Sequence, residues 1–130
     1  MAGAAGGSAA RDFAAVAARL RAILEAYADS LKFTEFPTGA VKLERPPGDA
    51  PSDYVAGTRI GKTYVSYYLM PVYGLPELLD GISPELRRRM QGKACFNFTR
   101  VDETLFAELA TLTATGIDRF RDWRPPERRR

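Results

Sequence analysis

Thr63-Tyr-Val-Ser-Tyr-Tyr-Leu-Met-Pro-Val-Tyr-Gly74 and, further on, Gly92-Lys-Ala-Cys-Phe-Asn-Phe98 decide the fold of this chain. Both stretches are rich in aromatic and β-branched side chains, which fit the pleated, half-buried surface of a sheet. Successive side chains on a strand point to opposite faces, so each stretch divides in two. Val65, Tyr67 and Leu69 share one face, and Tyr64, Ser66, Tyr68 and Met70 share the other. On the later strand Ala94, Phe96 and Phe98 alternate with Cys95 and Asn97. If Phe96 and Phe98 join Val65, Tyr67 and Leu69 beneath helices, then Tyr64, Ser66, Tyr68, Cys95 and Asn97 lie across the sheet from them.

Working outward, residues 54–60 and 63–72 read as a hairpin joined at Gly61-Lys62. A two-residue turn of type II′ takes glycine at its first central position, where φ is positive. Pro71 cannot donate to a ladder, so the second strand sits at an edge there or ends. Upstream, Phe13, Val16, Leu20, Ile23, Leu24, Tyr27 and Leu31 recur at three- and four-residue spacing, which predicts a helix over residues 11–31. Between them, residues 32–47 hold two short strands or one interrupted strand, followed by a loop rich in proline, glycine and aspartate. Downstream, residues 76–80 predict a helical turn. Ser83-Pro84-Glu85 opens a helix ending near Gln91, with Gly92 as its terminator. Asp102 caps a long last helix with Leu105, Leu109, Leu112, Ile117, Phe120 and Trp123 on its buried stripe. Gly116 weakens that helix by about 1 kcal/mol relative to alanine.

Hairpin-linked strands between terminal helices predict an α+β fold, a two-layer sandwich whose mainly antiparallel sheet carries the N- and C-terminal helices. The expected organisation is a flexible amino terminus (residues 1–10), one domain (11–123) and a basic, flexible tail (124–130). With 130 residues, 45% of them hydrophobic, the chain has enough material for one core without disulfides or metals. Its single cysteine excludes an internal disulfide and favours a reducing compartment, so a cytoplasmic location is expected. No signal-peptide pattern and no transmembrane run is visible in the sequence. The net charge is +3, but the last seven residues hold four of the 19 basic residues and one of the 16 acidic ones. The rest of the chain is therefore neutral, a pattern of a solvated terminus and not of a nucleic-acid-binding face.

Histidine is absent, which removes Ser-His-Asp and Cys-His catalysis and leaves no ordinary zinc ligand set. Gly61-Lys62-Thr63 carries the tail of a phosphate loop but lacks the earlier glycine, and Thr63 opens a strand where such a loop requires a helix. Only Asp102 and Glu103 are adjacent acids, and no calcium-loop pattern occurs. Arg87, Arg88 and Arg89 would point in three directions from a helix, as solvated side chains do. Cys95 is a candidate thiol, with Lys93 two residues away and so on the same strand face. The sheet face of aromatic and small polar residues is the remaining constellation, suited to a ligand cleft or a protein interface.

The hairpin strand Tyr64-Val-Ser-Tyr-Tyr-Leu69, the Gly92–Phe98 segment and the final helix from Leu105 to Phe120 resemble the YdhG-like family of small bacterial proteins of unknown function. The resemblance spans about Lys62 to Arg121, and the family is loosely linked to frataxin-type iron chaperones. It implies an α+β sandwich with a curved sheet and no established reaction. Iron handling would need ligands that a chain without histidine or a row of carboxylates does not offer.

The leading expectation is a non-enzymatic domain, with no cofactor and no metal, that binds a small molecule or partner through Tyr64, Ser66, Tyr68, Lys93, Cys95 and Asn97. Two alternatives accompany it. One is an enzyme using Cys95 or a tyrosine, with Lys62, Lys93 or Arg100 stabilising an anion. The other is a homodimer formed through the aromatic sheet face.

Overall fold

Helix α1 (Phe13–Glu25) buries Val16, Ala17, Leu20 and Leu24 along one stripe, as three- and four-residue spacing requires. It belongs to a computed structural model that describes residues 13–48 and 53–121. The expected flexible amino terminus, part of the proline-rich loop, Trp123 and the basic tail lie outside the described residues. The helix is shorter than its periodicity suggests. Past Glu25 the N–H groups of Tyr27, Ala28 and Ser30 bond carbonyls three residues back, at 3.0, 3.1 and 3.1 Å. Such bonds tighten the coil into turns, while Tyr27 and Leu31 still pack on the core.

Five strands follow: β1 (Lys32–Glu35), β2 (Val41–Glu44), β3 (Tyr54–Ile60), β4 (Val65–Leu69) and β5 (Cys95–Phe98). They form one antiparallel sheet in the order β1-β2-β3-β4-β5, each strand beside its neighbour in sequence. The β3–β4 hairpin is present, but its turn is not the tight one expected. Ile60 pairs with Val65, leaving a four-residue loop closed by the Gly61 N–H donating to the Tyr64 carbonyl at 2.9 Å. Gly61 is not among the positive-φ glycines, because the longer loop removes that requirement. Strand β4 ends at Leu69, and Pro71 sits in the first turn of a short helix, α2 (Met70–Gly74), where its missing N–H costs nothing.

A 3₁₀ turn (Pro76–Leu79) leads to helix α3 (Pro84–Arg87). The Ser83 hydroxyl accepts from the Leu86 N–H at 3.1 Å and donates to Glu108 at 2.6 Å, while the Ser83 N–H meets the other oxygen of Glu108 at 2.6 Å. Helix α3 stops well before Gln91 because the chain turns away to line the edge of β5. Asn97 donates its N–H to the Arg89 carbonyl, and Gln91 donates its N–H to the Cys95 carbonyl. Gly92, at φ +82°, makes the return turn of this excursion and is not a helix terminator. Helix α4 (Glu103–Phe120) begins as expected, with the Asp102 carboxylate accepting from the Leu105 N–H at 3.1 Å. It runs through Gly116, whose missing side chain lets α2 approach: a Cβ there would stand 3.0 Å from the Pro71 ring.

The helices pack on one face of the sheet. Val41, Leu43, Ala56, Val65, Tyr67, Leu69, Phe96 and Phe98 join the buried residues of α1 and α4 in a single core. Phe98 meets Phe106 edge-on, with ring centroids 5.0 Å apart, and Arg19 of α1 pairs with Glu103 of α4. Tyr67 is fully buried, and its hydroxyl lies 2.7 Å from that of Thr113. Thr113 spends its one proton on the Leu109 carbonyl at 2.8 Å, so Tyr67 is the donor of the pair. Tyr67→Phe is expected to lower stability by about 1 kcal/mol in urea unfolding, with an unchanged dependence on urea. An unchanged midpoint would mean that the hydroxyl pair does not hold sheet to helix.

Candidate functional site

With both long helices on one side, the other side of the sheet is left to its own side chains. Register brings them into rows. Lys42, Gly57, Tyr68 and Cys95 stand side by side across β2–β5, and Arg59, Ser66 and Asn97 form the next row. A bulge adds one more residue. Leu43 pairs with Ala56 but Glu44 pairs with Tyr54, so Val55 is an extra residue in β3. Val55 turns into the core, and Tyr54 reaches the open face, where its hydroxyl lies over Gly57. The phenol oxygen is only 2.6 Å from where a Cβ of residue 57 would be.

The face has two halves. On the β4–β5 side, the Ser66 hydroxyl and the Cys95 thiol both donate to Oδ1 of Asn97, at 2.8 and 3.3 Å. Nδ2 of Asn97 donates to Gln91 at 2.6 Å. Ser66, Cys95 and Asn97 are thus neighbours, as strand alternation predicts, but their polar groups are engaged with one another and with the Arg89–Gln91 excursion. Burial pushes the Cys95 thiol above its ordinary pKa, and the neighbouring Ser66 and Tyr68 side chains offset this only in part. A raised pKa keeps the sulfur as a thiol at neutral pH, the less nucleophilic form. Lys93 is not a strand neighbour of Cys95; it is exposed in the loop before β5. Tyr64 is likewise in the β3–β4 loop, ahead of the strand, and is 36% exposed.

On the β2–β4 side the face is open. A groove of about 650 Å³ is lined by Phe36, Lys42, Glu44, Tyr54, Arg59 and Tyr68, among others. Of the residues singled out in the sequence only Tyr68 lines it. Lys42 and Glu44 form an ion pair at 3.4 Å, with the Glu44 side chain only 8% exposed. Arg59 makes no ion pair among the described residues, and the Tyr54 hydroxyl makes no hydrogen bond among them. The Tyr54 phenol is pushed up to about 12 by burial first, then by Tyr68, Cys95 and Glu44 nearby. It therefore stays protonated and able to donate.

A second, smaller cavity of about 280 Å³ gathers Arg88, Arg89 and Arg100 beside Glu85 and Asp102. Asp102 is committed as the α4 cap, and Glu85 lies 3.9 Å from Arg88. No group of three or more carboxylate, cysteine or histidine side chains that could hold a metal ion occurs among the described residues. No helix among them is long and apolar enough to cross a membrane.

A Cβ on residue 57 would also meet the Val41 backbone oxygen at 2.8 Å, and that atom cannot swing aside as the Tyr54 ring can. Gly57→Ala is expected to cost about 2 kcal/mol in urea unfolding, and Tyr54→Phe in that background to recover only part of it. Full recovery would place the conflict on the phenol alone. The tyrosines also predict a pH dependence. Burial raises Tyr67 as well as Tyr54 above the ordinary phenol value, whereas in the unfolded chain both ionise near pH 10. Their contribution to stability is complete below about pH 10 and is lost as pH rises further, since the unfolded state gives up its protons first. A urea midpoint that stays level from about pH 10 to 12 would contradict this.

No protein-family model, curated protein or solved structure matches the chain.

Proposed function

We propose that this chain is a non-enzymatic domain that binds a small molecule on the open face of its sheet, in the groove between β2 and β4. The observation that carries this reading is a groove of about 650 Å³ in which a protonated phenol and an arginine stand without partners among the described residues. Small-molecule sites combine apolar and aromatic walls with a few convergent polar groups, in volumes of roughly 300–1,000 Å³. Phe36, Tyr54 and Tyr68 supply the walls, and Lys42, Glu44 and Arg59 the polar groups. Within the face first singled out, the ligand contact moves from the Ser66–Cys95–Asn97 cluster toward Tyr68 and its neighbours on β3 and β2. The YdhG-like resemblance fits this reading in its aromatic strands and final helix, and it supplies no ligand. A lone cysteine held as a thiol suits a reducing, cytoplasmic setting.

A screen of small aromatic fragments of varied charge, followed by amide chemical shifts, tests the reading. Saturable shifts are expected at Lys42, Gly57, Arg59 and Tyr68, and Cys95→Ala should leave them intact. Shifts confined to other surfaces, or none from any fragment in a folded sample, would sink it.

A further inference from the structure

The charges of the groove do not cancel. Lys42 and Glu44 balance each other as an ion pair, and Glu44 is nearly closed off from solvent. Arg59 is the surplus cation, with its guanidinium unmatched by any carboxylate among the described residues. Lys42 is the direct cross-strand neighbour of Gly57, and Arg59 stands two residues further along the same strand. Strand spacing and rise put the Cα atoms of Lys42 and Arg59 about 8 Å apart, a gap that two long side chains close around one small group. At Gly57, opposite Lys42 and two residues from Arg59, the Tyr54 hydroxyl occupies the space that the absent side chain leaves. That hydroxyl is held in its protonated form, so what it can offer an incoming anion is a hydrogen bond. Beyond Arg59 the groove continues along Ala40 to Phe36, a residue 40% exposed.

Taking the groove as a ligand site, we propose that its ligand is a small organic monoanion: a carboxylate on a flat, apolar body. The carboxylate lies between Lys42 and Arg59 and accepts from the Tyr54 hydroxyl, and the body lies toward Ala40 and Phe36. A guanidinium matches a carboxylate with two parallel hydrogen bonds, a geometry that neutral amides and ammonium groups cannot reproduce. A cationic ligand would meet Arg59 directly, and Glu44, its only counter-charge there among the described residues, is already paired with Lys42.

Benzoate, benzamide and benzylammonium share a ring and differ in charge, so their titration into the full chain, read from amide shifts, separates the possibilities. Benzoate is expected to move the amides of Lys42, Gly57 and Arg59 saturably, with at least about tenfold tighter binding than the other two. Arg59→Gln is expected to weaken benzoate by about tenfold and leave benzamide unchanged. Tyr54→Phe should act in the same direction more weakly, and added salt should weaken benzoate selectively. Arg59 is exposed, so its replacement leaves the fold intact. If benzamide or benzylammonium binds the groove as tightly as benzoate, or Arg59→Gln changes nothing, the anion assignment fails while the groove stands as a ligand site. If none of the three shifts these amides, the groove reading fails and takes the proposal with it. Shifts there that grow with protein concentration alone would assign the face to a second copy and overturn both.

Discussion

Tyr67 joins the sheet to its helix layer through a single buried hydroxyl that donates to Thr113. A phenol at the centre of a core carries a polar group that must find a partner, because leaving it unpaired costs about 1–3 kcal/mol. Only one face of β4 can satisfy that need. A one-residue slip would send Tyr67 to the open side and bring Ser66 and Tyr68 into the core, with every cross-strand neighbour following. The pairing with Thr113 therefore sets which side of β4 is inside, and through the register it sets the outside of β2, β3 and β5 as well.

That outer side is neither a second core nor an ordinary wet surface. Its β5 half is closed by short polar side chains bonded to one another, with Gln91 brought in from the segment that follows α3. Its β3 half is shaped by a missing side chain and an extra residue. Gly57 leaves room, and the bulge at Val55 swings Tyr54 into it. Backbone irregularity thus supplies what regular alternation could not: an aromatic group lying along the sheet with its hydroxyl held at the centre of the face. The polar chemistry of the two halves differs accordingly, self-satisfied on one side and unspent on the other.

Much of this was legible in the residues. The alternation in β4 and β5 separates core from open face correctly, because a period of two is a local property of a strand and needs no knowledge of its partners. Asp102 and Ser83 announce helix starts by side-chain chemistry, and both cap as read. What could not be read depends on pairing between strands. Lys42, Gly57 and Tyr68 become neighbours only through register, and strict alternation would have put Tyr54 on the core side with Ala56, since nothing in residues 54–57 marks a bulge. Helix lengths failed for a related reason. Residues 88–91 favour a helix locally, but pairing with β5 captures them, just as turns bonded three residues back end α1 while its apolar spacing continues.

The same Arg89–Gln91 excursion has a consequence for how copies of this sheet could associate. Its inward groups bond β5, while the intervening N–H of Met90 donates to the Arg87 carbonyl at 3.1 Å. That border of the sheet is covered along Cys95–Asn97 by these bonds, and β1, four residues with a charge at each end, is the border that no described segment covers in this way. A sheet with two free borders can add copies without limit, as fibres do; a sheet with one cannot. Among the described residues, strand-to-strand association through β1 uses up the one uncovered border of each copy, so it closes on itself at a two-fold pair.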